Sequence, residues 1–446
     1  MRAHSAHQLK SSPVAHLEGR ARLPGDKAIS HRALMLSALA VGETTIQGTR
    51  EGPDMVSTAT ALRQLGATLE HRGGGEWRIH GVGVGGLREP DDIVHLGDSG
   101  APARMLVGML ASHDLTSFVT GGASLRPRSM SRVIEPLSRM GARFVSRGDG
   151  HLPMAITGPR TAMPIEHRMS ARSSQVKSAI LMAALNTPGE TTVIEPEATP
   201  DHTELLMESF GATLRRRRLD DGALAITVVG QPELEGRALV LPGDPTIAAF
   251  AVVAAATVKG SDVTVMNVGL NPLRAGLFET LREMGADLTF DNRRGMGGEP
   301  VADIRVRGGE LRCVDVPASR VPTMIDEYPV LAVAAACAAG TSRMAGLADL
   351  RGEEGDKLAL IAAGLAANGV KSELGPDFLH VHGMAGMAPG GGVAETGSDY
   401  RVALAFLVLG MAAKAPVAID DATPIDTSVP GFITMMNVLG ARIGDV

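Results

Sequence analysis

LRQLGATLEHR, from Leu62 to Arg72, reads as the end of an amphipathic helix, a glycine just past its C-terminus, and the start of a strand. Gly66 can take the left-handed conformation that closes a helix, and the alternating residues after it suit a half-buried strand. One such junction is common and decides nothing. The signature recurs, however, as LSRMGARFVSR from Leu137, MESFGATLRRR from Met207, LREMGADLTFD from Leu281, GLAANGVKSEL from Gly364 and MNVLGARIGDV from Met436. Its glycines lie about 70 to 85 residues apart, the mark of an internal repeat. EWRIHGVG, HLPMAITG, ALAITVVG and FLHVHGMA read as return strands that close hairpins within the repeats.

A second echo divides the chain. LPGDKAIS from Leu23 and LPGDPTIAAF from Leu241 each set Pro-Gly-Asp before an apolar helical segment, where the Asp can cap the helix. A chain of 446 residues exceeds the roughly 250 to 300 at which single cores stop growing. Two domains of three repeats are therefore expected: residues 23–240, and residues 1–22 joined with 241–446. The hinges are expected near 22–24 and 240–242, with the active-site cleft between the domains.

Composition narrows the function. A net charge of −6 and 3% aromatic residues argue against a nucleic-acid partner, which needs clustered positive charge and stacking surfaces. The run Arg215–Arg218 is followed by Leu-Asp-Asp and reads as a solvated edge strand. Apolar stretches such as 329–340 fall short of the roughly 20 residues a membrane helix needs. The opening MRAHSAHQLKSSPVAH lacks a secretory apolar core, and Cys313 and Cys337 form no disulfide or metal pattern, so a cytoplasmic protein is expected. His380 and His382 share a strand face without further ligands. The glycines of GVGVGGLRE follow a hairpin strand and read as a turn rather than a nucleotide loop.

Several segments could bind anions. GDKAISHR places Lys27 and Arg32 near a helix start, where backbone N–H groups favour negative charge. GDSGAPARM offers small residues around Gly100 that permit close backbone approach. SLRPRSMSR supplies Arg126, Arg128 and Arg132, suited to two-pronged grip of carboxylate or phosphate. Ser173, Ser174 and Gln175 form a donor set for an oxyanion or polyol, although serines there also cap helices. Asp326 and Glu327 stand before a long apolar helix as either caps or acid–base groups. LRGEEGDKL and DYR add Arg351, Glu353, Glu354, Asp356, Lys357, Asp399, Tyr400 and Arg401.

LPGDKAISHRA, QVKSAILMAALNTPGETTVIEP, DHTE and MIDEYPVLAVAAA, in that order, resemble the 5-enolpyruvylshikimate-3-phosphate (EPSP) synthase family from about Leu17 to the end. The resemblance implies an α/β fold of two inverse α/β barrel domains, six βαβαββ-type repeats in all, acting as a monomer without cofactor or metal. It implies transfer of an enolpyruvyl group from phosphoenolpyruvate to a hydroxylated acceptor. By motif position Lys27, Arg128, Lys357 and Arg401 would hold phosphoenolpyruvate, and Asp326 and Glu354 would transfer protons. Arg32, Ser173, Ser174 and Gln175 would contact the acceptor, beside Gly100.

The chain departs from the family's usual residues at Ala28, Asp98, Ala101, Pro200, Glu353 and Tyr400, and in the run Pro245-Thr246-Ile247-Ala248. Ala28 loses a hydroxyl and Pro200 a cation on the acceptor side; Asp98 adds negative charge. Glu353 replaces a lysine. Beside a phosphate that reversal turns attraction of about 4 kcal/mol, at an effective dielectric near 20, into repulsion of similar size. These changes point first to an enolpyruvyl transferase with an acceptor that lacks the 3-phosphate or is cationic. The alternatives are an authentic 3-phosphoshikimate 1-carboxyvinyltransferase and a non-catalytic ligand-binding paralogue.

Overall fold

The computed structural model describes residues 7–352 and 355–446. All six signature glycines, Gly66, Gly141, Gly211, Gly285, Gly369 and Gly440, have φ between 72° and 107°. Each ends a helix and admits the chain to a strand, as the repeat requires. The four return strands are present at Glu76–His80, His151–Thr157, Leu224–Val229 and Phe378–Met384.

The chain divides into two compact units. Unit I takes residues through Pro24 with Gly243–Arg294 and Pro300–Val446, and unit II takes Gly25–Pro242 with Gly295–Glu299.

Unit II holds α1 (Lys27–Ala38), α2 (Pro53–Gln64), α3 (Gly100–Ala111), α4 (Ser131–Arg139), α5 (Ser174–Leu185) and α6 (His202–Ser209). Its three four-stranded sheets share one plan: a short strand lies parallel to a second strand, which pairs antiparallel with a hairpin. Helices α1, α3 and α5 are buried on nearly every face, and their apolar residues form the core. At Gly108 of α3 an added Cβ would lie 2.1 Å from the carbonyl oxygen of Ala179 on α5, so glycine permits their close packing.

Unit I holds α7 (Pro245–Thr257), α8 (Gly276–Glu283), α9 (Tyr328–Cys337), α10 (Lys357–Ala367), α11 (Tyr400–Met411), α12 (Thr423–Ser428) and α13 (Phe432–Val438). Helices α7, α9 and α11 pack on one another as its buried core. The N-terminal segment completes two of its sheets: Glu18–Arg22 runs parallel to Asp262–Gly269, and Leu9–Ser11 pairs antiparallel with Val417–Ile419 and Ile443–Asp445. Both Pro-Gly-Asp aspartates cap their helices. Asp26 accepts from the Ile29 N–H and Asp244 from the Thr246 N–H, each at 2.9 Å.

Arg215–Arg218 forms an exposed edge strand, in which Arg215 pairs with Glu190 and Arg216 with Glu208. His380 and His382 flank Glu373. No helix among the described residues is long and apolar enough to cross a membrane, and none of their His, Cys, Asp and Glu side chains group as a metal site.

Candidate active site

In unit II the predicted anion binders lie on α1, on the first turns of α3 and α5, and in the loop before α4. Lys27, at the start of α1, pairs with Asp54 in the first turn of α2. Arg32 is buried one turn further on. Its Nε donates to Thr203 Oγ1 (2.6 Å), Nη1 to the Ala28 carbonyl (2.8 Å) and Nη2 to Ser178 Oγ (2.9 Å). Burial and the charges of Lys27, Arg32 and Arg50 hold His31 well below its usual range, so this helix presents a neutral imidazole.

Ser173 caps α5 by accepting from the Val176 N–H (3.3 Å). The other serine, Ser174, opens the helix itself. Gln175 Oε1 accepts from Arg104 Nη1 at 2.9 Å, while Arg104 also donates to the carbonyls of Gly100 (3.2 Å) and Ser129 (3.0 Å). Arg128 Nε donates to the Ser124 carbonyl (3.0 Å). A Cβ on Gly100 would lie 2.6 Å from Arg104, 3.4 Å from Arg128 and 3.7 Å from Gln175, so these three side chains surround the point at Gly100. Gly100→Ala should therefore weaken the binding of a small carboxylate or phosphate anion about tenfold with little change in melting temperature, since the methyl group displaces Arg104 from Gln175. Calorimetric titration of the variant checks it, and an unchanged affinity would break the link between this point and an anion.

The Asp98 carboxylate accepts from the N–H (3.0 Å) and hydroxyl (2.8 Å) of Ser124, so it fastens its own loop to the one that carries Arg128. It is held in a local clasp by neutral donors. Ala101 follows Gly100 in the first turn of α3, and half-buried Pro200 precedes the N-cap of α6.

In unit I, Glu327 stands at the N-cap position of α9, but neither it nor Asp326 makes a side-chain capping hydrogen bond. Asp326 Oδ1 lies 3.1 Å from Arg401 Nε. Asp399, the cap of α11, sits 3.5 Å from Arg401 Nη1 and 3.0 Å from Lys357 Nζ. The Arg401 guanidinium stacks 4.6 Å above the Tyr400 ring, which gives the tyrosine in DYR a contact of its own. Burial would raise the Asp326 carboxyl, but Arg401, Arg274 and Lys357 outweigh it and hold the group below its usual range. Asp399 is likewise held low: burial opposes this, and Arg401 and Lys357 prevail.

Glu327 points the other way. Its Oε1 accepts from Thr246 Oγ1 (2.5 Å), and that hydroxyl accepts from Arg274 Nη2 (2.7 Å). Burial, with Asp326 and Asp244 adding to it, pushes Glu327 up to about 7 against the pull of Arg274 and Thr246. Asp356 caps α10 and pairs with Arg351 (2.7 Å). Glu353 and Glu354 lie outside the described residues.

A carboxylate held ionised beside arginine and lysine, with further cations placed against acidic partners, is equipped to bind an anion and move a proton. Over residues 12–436 the chain matches EPSP synthase (3-phosphoshikimate 1-carboxyvinyltransferase). It belongs to the EPSP synthase family. As a member it is a transferase of the enolpyruvyl type. It is 57% identical to the 3-phosphoshikimate 1-carboxyvinyltransferase of Paramagnetospirillum magneticum, covering 98% of each chain. With the enzyme of that name from Rhodospirillum rubrum it shares 53% identity, over 99% of this chain and 97% of the other. The EPSP synthase structure from Acinetobacter baumannii superposes with a TM-score of 0.92 at 38% identity, covering 98% of this chain and all of that one. The expected family and two-domain α/β fold thus hold.

Asp54, Arg104 and Arg274 escaped the sequence reading of this family member. Asp54 is one acid at a helix start and Arg104 one cation in an otherwise apolar helix, neither marked out in the sequence. Arg274 lies in a turn with no charged neighbour to draw attention.

Proposed function

We propose that this chain is a 3-phosphoshikimate 1-carboxyvinyltransferase, moving the enolpyruvyl group of phosphoenolpyruvate onto a hydroxyl of shikimate 3-phosphate. The observation that carries the reading is the Asp326–Arg401–Asp399–Lys357 chain of charges, in a protein more than half identical over its length to enzymes of that name.

In the proposed reaction Lys27, Arg128, Lys357 and Arg401 hold the carboxylate and phosphate of phosphoenolpyruvate. The acceptor hydroxyl attacks C2 and loses its proton as C3 gains one, giving a tetrahedral intermediate. C3 then returns a proton and the C2–O bond to phosphate breaks, releasing phosphate and the enol ether. Asp326 and Glu354 serve as the proton-transfer pair, while Arg32, Ser173, Ser174 and Gln175 serve the acceptor side. Within its own unit, Asp54 offsets the charge of Lys27 and Asp399 offsets those of Lys357 and Arg401 before the anion arrives.

The altered-acceptor reading keeps specific support from Ala28, Pro200 and Glu353. Phosphate release separates the readings. We expect turnover with phosphoenolpyruvate and shikimate 3-phosphate, and faster than with unphosphorylated shikimate. Turnover with shikimate alone would establish the altered acceptor, and phosphoenolpyruvate binding without release under either condition would establish a non-catalytic protein.

A further inference from the structure

Glu327 is a buried carboxylic acid without an assigned task. Only 2% of the residue is exposed, Oε1 takes the Thr246 hydroxyl, and Oε2 has no hydrogen-bond partner. An ionised carboxylate with one bare oxygen is costly in such a place, whereas a carboxylic acid is tolerated. The facing groups are few. Asp244 and Thr246 come from the start of α7, and Arg274 from the turn before α8, its Nη2 3.8 Å from Glu327 Oε1. Asp326 precedes Glu327 in the chain, Arg401 reaches it from α11, and Tyr328, itself buried, follows it.

Arg274 is central because its charge acts on both neighbouring carboxyls, Asp326 and Glu327. When Glu327 is neutral, Arg274 supports the ionised Asp326 and adds to the positive field of Arg401 and Lys357. When Glu327 ionises, Arg274 is drawn to it and the field around any bound anion weakens. The sequence places this acid one residue after the proposed proton carrier, and the turn Ile325–Glu327 directs the two to opposite partners.

We propose that Glu327 is a positioning residue for enolpyruvyl transfer, which in its neutral form leaves Arg274 to Asp326 and the anionic substrate and in its ionised form withdraws it. The proposal rests on the transferase reading given above. The ionisation falls near neutral pH, because burial pushes the group up to about 7. Affinity for phosphoenolpyruvate therefore declines across that range in the native protein, beyond any change due to the substrate's own titration.

Glu327→Gln tests this, since the amide oxygen can still accept from Thr246 but cannot ionise. From near pH 6 to near pH 8 the native KM for phosphoenolpyruvate should rise about fivefold more than that of E327Q, with kcat at the lower pH within about threefold. Parallel KM profiles would overturn the proposal. Stability supplies a readout free of catalysis. Because the folded Glu327 holds its proton above the unfolded carboxyl range, native stability falls as pH rises from about 4.5 to 7, and E327Q lacks that loss. Its melting temperature relative to the native protein should thus climb by about 5 °C over the window. Should E327Q not fold, Thr246→Val removes a hydrogen bond that favours the ionised acid and should move the KM rise to higher pH; an unmoved rise would count against the proposal. Calorimetry of phosphoenolpyruvate binding at the two pH values separates the two claims. Absent turnover with the pH difference between native and variant intact would sink the transferase reading alone, and equal binding by both at both pH values would sink the role of Glu327.

Discussion

Asp326→Asn is expected to lower kcat about a thousandfold with no loss of folding. The asparagine keeps the volume of the side chain beside Arg401, so the change isolates charge and proton transfer from packing. The wild-type carboxyl resists burial and stays ionised at neutral pH because Arg401, Arg274 and Lys357 surround it. Its pKa lies below the usual carboxylate range, so the acid limb of kcat that belongs to Asp326 should also lie there, and activity should persist into mild acid. Phosphate release at neutral pH, with the melting temperature as a folding control, decides the matter. A variant that keeps a tenth of native turnover would remove Asp326 from the proton path.

Lys177→Met should produce the largest loss of stability. Lys177 Nζ lies 3.1 Å from Glu195 and 2.7 Å from Glu204, with all three side chains at most 2% exposed. It also donates to the Thr199 carbonyl (3.1 Å). Methionine fills similar space but strands two acids in the core of unit II, a change that costs about 3–5 kcal/mol when a buried partner is removed. A fall of about 10 °C in melting temperature follows for a unit of this size. The sign of its pH dependence is set by Glu195, which burial already raises and Lys177 restrains. Without the lysine the acid needs its proton more, so the deficit should be smaller near pH 5 than near pH 7. A deficit equal at both pH values, or below about 1 kcal/mol, would show that the triad does not bear on stability.

How much of this site could be read in the chain depends on what each residue needs. Lys27, Arg128, Lys357 and Arg401 stand out as cations at helix starts or in short charged segments, and the structure gives each a polar or acidic neighbour. The pair Asp326 and Glu327 was visible, but the direction of each was not. One reaches Arg401, 75 positions away by number, and the other reaches Thr246, 81 positions back. Lys177 carried a signal of its own, a lysine within the apolar run VKSAILMAAL, which is rare in a core helix unless paired. The acids that pair with it could not be read from that run.

By itself the sequence determined the repeat: a helix must stop where a glycine takes positive φ, and alternating residues must then form a strand, and both are local requirements of the backbone. It also determined which segments could carry charge next to helix starts. Only the tertiary structure decided how those charges are partnered. Ion pairs join residues far apart in the chain, and burial, which sets whether a carboxyl keeps or releases its proton, arises from neighbours on other elements. Asp326 and Glu327 show this most directly, since adjacent acids of nearly the same chemistry are shifted in opposite directions by what folds against them.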